Sequence, residues 1–153
     1  MIRIQDGDFD IGEEIGTLRA GRLDIGAIVT FTGTVRDTLP EGAGEISTLT
    51  LEHYPGMTEK ELARIEEEAR SRWPLEGSLI VHRVGTLLPG DNIVLVITAS
   101  AHREAAFEAA RFLMDYLKTS APFWKREKGP EGEHWVEAKD TDDQAAAKWR
   151  EDS

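Results

Sequence analysis

The chain has 153 residues, of which 40% are hydrophobic and 31% charged, with a formal net charge of −11 and no cysteine. That length suits one domain spanning 1–153, able to bury about two-thirds of its unfolded surface. The acidity argues against nucleic acid, whose phosphates most faces would repel. The missing cysteines exclude disulfides, thiol nucleophiles, zinc–thiolate sites and iron–sulfur clusters. The longest apolar run, Ile93 to Ala101, is too short to span a bilayer, and the opening Met1-Ile2-Arg3-Ile4-Gln5-Asp6 lacks an apolar signal core, so a cytoplasmic protein is expected.

Ile2 and Ile4 alternate with polar residues and predict a short first strand. Asp10 caps a predicted helix from Ile11 to Ala20, with Ile11, Ile15 and Leu18 on one face and Gly21 at its end. Ile25 to Arg36 is rich in β-branched residues and reads as a long strand in which Gly33 marks a bulge or a close approach. Asp37 to Glu45, with Pro40, Gly42 and Gly44, reads as a mobile loop. Ile46 to His53 alternates again and is expected to pair with the preceding strand as a hairpin. After the Tyr54-Pro55-Gly56 turn, Thr58 and Glu61 read as a capping box, opening a helix that buries Leu62, Ile65, Ala69 and Trp73 and stops at Pro74.

Leu79 to Val84 and Asn92 to Ala101 follow as strands, joined through Gly85 and Pro89-Gly90. The next helix, from about Arg103 to Lys118, buries Ala106, Ala110, Leu113 and Leu117. Pro122 forces its predecessor out of helical geometry. Phe123 to Glu127 and His134 to Ala138 read as a terminal hairpin, and Asp142 opens a polar helix carrying Trp149. No regular βαβ rhythm runs through the chain, so the class is α+β with a mainly antiparallel sheet.

The charge is uneven. Between His102 and Lys128 six Lys and Arg residues face four carboxylates, a net of +2 that leaves −13 for the rest of the chain. A locally positive window suits capture of a small anion, although scattered surface ion pairs would give the same count. Lys118 falls at a helix C-terminus, where a cation is favoured in any case, and Lys125 lies on the following strand. Crowding by Arg103, Arg126 and each other would depress their pKa values and fit one for proton transfer near neutral pH. Arg36, at a strand end before a Gly-rich loop, suits a phosphate or carboxylate clamp or an ordinary edge position. Strand alternation sets Phe123, Lys125 and Glu127 on one face and Trp124, Arg126 and Lys128 on the other. The four histidines show no i,i+4 pair, and His82, mid-strand, reads as a packed or surface residue. No metal or other cofactor is expected, and no serine-hydrolase elbow, P-loop or dinucleotide fingerprint is present.

Phe31-Thr32-Gly33-Thr34-Val35-Arg36, Leu49 to Met57, Ser100-Ala101-His102-Arg103, Met114 to Glu127 and His134-Trp135-Val136-Glu137-Ala138 together resemble the catalytic large subunit of molybdopterin synthase, the MoaE family. The resemblance implies an α/β hammerhead-type fold with a smaller antiparallel subdomain. It implies conversion of cyclic pyranopterin monophosphate to molybdopterin, a dithiolene, with sulfur carried as a thiocarboxylate on the C-terminal glycine of a small ubiquitin-like partner. Such chemistry needs no cysteine. By the same resemblance the substrate pocket comprises Thr34, Val35, Arg36, His102, Arg103, Lys118, Lys125, Arg126 and Glu127, with Lys118 and Lys125 catalytic. Lys139 stands where other members have arginine, at a position implied to reach the neighbouring subunit, and keeps the charge without the bidentate fork. A homodimer with a small partner at each end, a heterotetramer, is implied as well. The competing reading is a non-catalytic module that docks the ubiquitin-like partner.

Overall fold

The computed structural model describes residues 1–37, 48–129, 132–136 and 140–151. Twelve elements follow one another along these segments. They are β1 (Ile2–Gln5), α1 (Ile11–Arg19), β2 (Ala27–Thr34), β3 (Thr48–His53), α2 (Met57–Arg72) and β4 (Leu75–Arg83), then β5 (Gly85–Leu87), β6 (Asn92–Ser100), α3 (Arg103–Thr119), β7 (Phe123–Gly129), β8 (Gly132–Val136) and α4 (Asp140–Glu151). The strands form two four-stranded sheets, ordered β1-β4-β6-β2 and β5-β3-β7-β8. Every pairing is antiparallel except β1 with β4. The α+β class with a smaller antiparallel sheet is the architecture found.

The first sheet is covered on both faces, which explains why β4 and β6 read as continuous apolar runs. Leu79, Val81, Leu95 and Ile97 point to one side, where Phe9 and the Ile11, Ile15 and Leu18 stripe of α1 cover them. Ile80, Val94 and Val96 point to the other, against Leu62, Ile65 and Ala69 of α2 and Phe112, Leu113 and Leu117 of α3. Trp149 of α4 completes that layer: its indole meets Phe112 and Trp73 edge-on at 5.6 and 5.5 Å and donates to Asp115 at 2.6 Å. The second sheet packs Leu49, Leu51 and Leu87 around Val35. No helix among the described residues is long and apolar enough to cross a membrane.

Local chemistry sets several boundaries as expected. The Asp10 side chain accepts from the Glu13 amide at 2.9 Å and opens α1. The register slips between Gly33 and Thr34, the anticipated bulge, and a Cβ on Gly33 would sit 2.9 Å from Val94 Cγ1. Three expectations are corrected. The β2 and β3 strands do not form a hairpin: β2 pairs with β6 in one sheet, while β3 lies between β5 and β7 in the other. Alternation marks a strand but carries no information about its partner. The capping device at α2 is also different, since Gly56, at φ +85°, donates its amide to Glu59 at 2.8 Å. Thr58 is wholly buried and bonded elsewhere, and Glu61 pairs with Arg64. Finally, β4 starts at Leu75, directly after the Pro74 stop, and the short β5 had no sequence signal of its own.

Candidate active site

Where the two sheets meet, a cavity of about 140 Å³ opens beside the C-terminus of α3. Phe31, Gly33 and Thr34 of β2 form one wall, Ile93 and Val94 of β6 a second, and Leu117, Lys118 and Ala121 a third. Phe123 and Lys125 of β7 and His82 of β4 close it. Both lysines singled out from the sequence therefore line one space. No carboxylate is among the described residues that do so.

The break between α3 and β7 creates this arrangement. Pro122 has no amide to continue the helix, and the Ser120 and Phe123 amides instead fold back on Tyr116 and Ala121 at 2.7 and 2.9 Å. The Thr58 hydroxyl holds the kink by donating to the Pro122 carbonyl at 2.9 Å while accepting the Tyr54 amide at 2.9 Å. Lys118 thus stays in the last turn of α3, where helix carbonyls favour a cation. Lys125 enters from β7 on the same face as Phe123, as strand alternation requires.

His82 is the residue that sequence reasoning passed over. It is 3% exposed, its ring lies 3.8 Å from that of Phe123 at an interplanar angle of 16°, and its Nδ1 is 2.8 Å from the Arg83 carbonyl. A carbonyl only accepts, so Nδ1 carries the proton and Nε2 holds a lone pair. Burial pushes the imidazole pKa down to about 4, against the Arg83 hydrogen bond, and the charges of Lys125 and Lys118 act in the same direction as burial. The ring is neutral at physiological pH. The available signal was its place in Leu79-Ile80-Val81-His82: a strand buried on both faces puts His82 on the Ile80 side, the side of α3.

The other expected site residues are dispersed. Thr34 lines the cavity, but the Val35 side chain turns into the apolar cluster of the second sheet while its amide and carbonyl bond Asp91 and Gly90 at 2.9 and 2.8 Å. Arg36 is exposed two residues beyond Thr34. Arg126 is on the opposite face of β7, between Glu52 at 3.8 Å and Glu133 at 3.6 Å, with its guanidinium 5.4 Å from the centre of the Trp135 ring. Glu127 is half-buried further along the Lys125 face of the strand. His102 is the exposed N-cap of α3 and Arg103 its first residue. Fifteen residues of helix, roughly 22 Å at about 1.5 Å each, separate Arg103 from Lys118. Within one chain, then, neither Arg103 nor Arg126 crowds the lysines. Lys139 and the 38–45 part of the expected loop lie outside the described residues.

An α+β protein with a helix-covered mixed sheet, an antiparallel second sheet and a two-lysine cavity between them is the class that fold and site define. The family model for the MoaE protein matches residues 4–120. The chain belongs to the MoaE family. It is 56% identical to the molybdopterin synthase catalytic subunit of Mesorhizobium japonicum, over 99% of this chain and 94% of that one. To the molybdopterin synthase catalytic subunit of Escherichia coli it is 58% identical, over 92% of each. A solved MoaE molybdopterin biosynthesis protein from Burkholderia ambifaria superimposes with a TM-score of 0.83 at 53% identity, covering 98% of this chain and 97% of the other.

Proposed function

We propose that the chain is the catalytic subunit of a molybdopterin synthase, converting cyclic pyranopterin monophosphate to molybdopterin with sulfur from a thiocarboxylated ubiquitin-like partner. The observation that carries this reading is the convergence of Lys118 and Lys125 on one cavity beside a neutral histidine. Each transfer forms a carbon–sulfur bond and breaks a carbon–oxygen bond on the substrate, one oxygen staying on the opened phosphate and the other leaving as water, while a water molecule cleaves the partner's acyl carbon–sulfur bond and returns a carboxylate. Opening the cyclic phosphate requires a proton for the departing oxygen. In this reading Lys118, at the helix end, holds the anionic thiocarboxylate. Lys125 moves the proton, and Phe31 and Phe123 offer apolar walls to the flat pterin. A cavity whose described lining holds two lysines and no carboxylate favours both electrostatic roles.

The reading includes the homodimer and the small partner at each end. The separation of Arg103 from Lys118 along α3 supports that assembly: His102 and Arg103 can serve the cavity of a second copy, with Arg36 and Lys139 as further phosphate contacts. The test mixes purified chain, thiocarboxylated partner and cyclic pyranopterin monophosphate and follows the pterin product by mass. Molybdopterin formation by the wild-type chain, lost in Lys118→Ala while partner binding persists, is the expected result. Partner binding with no sulfur transfer in the wild-type chain would leave only the docking module.

A further inference from the structure

Nothing in the proposed reaction accounts for His82. A buried imidazole is costly to keep in an apolar strand: its same-face neighbour along β4 is Ile80 and its cross-strand partner on β6 is Val94, both buried. Here two of its features are already committed. The Nδ1 proton goes to the Arg83 carbonyl, and one ring face lies on Phe123. What remains is the Nε2 lone pair of a residue that forms part of the cavity wall. Phe123 and Lys125 are two residues apart on β7 and project from the same face, so the strand that stacks on the imidazole also brings an ammonium to the cavity that the imidazole lines.

We propose that His82 is a positioning residue for Lys125, its Nε2 accepting a hydrogen bond from the Lys125 ammonium and fixing where that group meets the reacting atoms. An acceptor is needed there that brings no negative charge. A carboxylate would hold the lysine equally well but would form an ion pair with it and repel an incoming thiocarboxylate and phosphate. A neutral imidazole directs the ammonium without adding a negative charge beside it. The charges that act on His82 come from Lys125 of β7, Lys118 of α3 and His53 of β3, the last 3.5 Å from the Glu59 carboxylate. This inference rests on the sulfur-transfer reading for its catalytic consequence, though not for its geometry.

The test uses the full chain with its thiocarboxylated partner. His82→Phe keeps the stacking and removes the acceptor, whereas His82→Gln puts an amide acceptor near the Nε2 position. We expect His82→Phe to lower kcat at least tenfold with less than a twofold change in KM for the partner, and His82→Gln to recover most of that loss. In a Lys125→Ala background His82→Phe should cause no further fall. Equal losses with and without Lys125, or a wild-type kcat in His82→Phe, overturn the proposal. Because a core substitution can disturb folding, nitrogen NMR of the unsubstituted imidazole supplies a second measurement. The Nδ1-protonated tautomer should appear, and its Nε2 resonance should move in Lys125→Met. An unmoved resonance overturns the contact even if the wild-type chain makes molybdopterin. Conversely, a moved resonance in a chain that makes none would uphold the contact and sink only the sulfur-transfer reading.

Discussion

The two faces of β7 carry the same ingredients and end in opposite states. On one, Phe123 and Lys125 look into a cavity of about 140 Å³ whose described lining includes a second lysine, a neutral histidine and no carboxylate. On the other, Trp124 and Arg126 look outward, the arginine flanked by Glu52 and Glu133 and set over Trp135, with Trp124 and Trp135 45% and 54% exposed. An aromatic beside a cation is therefore not in itself a site. What separates the faces is the company each cation keeps: the described lining of the cavity brings two ammonium groups together with no carboxylate, whereas the Arg126 guanidinium lies between two carboxylates. The sequence window of net positive charge counted both alike.

The sharpest way to break this contrast is to remove a cation from the cavity side. Lys118→Ala and Lys125→Ala should each lower molybdopterin formation by at least a hundredfold, the scale of a lost acid–base or electrostatic group. Circular dichroism and partner binding should be unchanged, since neither ammonium sits in the apolar core. Activity within threefold of wild type in either variant would erase the distinction between the faces.

A second effect, on stability, comes from the same cavity. His82 has a folded pKa of about 4, below the ordinary histidine value near 6.5. Between those two values the unfolded chain binds the extra proton, so stability rises with pH across the window and is lost as pH falls from about 6.5 to about 4. The full swing is on the order of 3 kcal/mol, and below about pH 4 this group adds nothing further. Urea unfolding at several pH values should show that slope, and His82→Gln should flatten it. An identical slope in the variant would mean that carboxylates, not the cavity wall, set the acid response.

Much of this architecture was readable in advance, and the parts that were not share a cause. Asp10, Gly33, Pro74 and Pro122 each act on backbone within a few residues, so their helix caps, bulge and breaks follow from local chemistry. The alternation of Phe123 and Lys125 against Trp124 and Arg126 likewise held. Pairing did not follow: β3 neighbours β5 and β7, not β2, because partner choice is decided by which apolar faces must be covered across the whole chain. The position of His82 depended on that same tertiary fact. So did the separation of Arg103 from Lys118, which the length of α3 makes obvious only once the helix is taken as a rigid rod.

Thr58 separates the shape of the cavity from its charge. Thr58→Val keeps the volume but leaves the Tyr54 amide and the Pro122 carbonyl without their hydroxyl partner. Two part-buried groups then each lose a hydrogen bond, which together should cost about 1–3 kcal/mol by thermal or denaturant unfolding. Because the same hydroxyl holds the kink between Lys118 and Lys125, turnover should fall as well, with both cations still present. If stability drops but kcat does not, the spacing of the lysines tolerates more movement than a two-lysine site should.

The smallest expected effect lies on the solvent side and bears hardest on the contrast. Arg126→Ala removes a cation only one residue from Lys125, so any account based on summed local charge predicts a loss comparable to that of the lysines. The geometry predicts otherwise. Arg126 projects away from the cavity, and its ion pairs at 3.6–3.8 Å are partly exposed, each worth about 0–1 kcal/mol. Turnover in the isolated chemical step should stay within threefold of wild type, and the melting temperature should shift by only a few degrees. A hundredfold loss of kcat with partner affinity intact would show that the Arg126 face joins the reaction in the assembled enzyme, and the two faces of β7 would have to be read as one site.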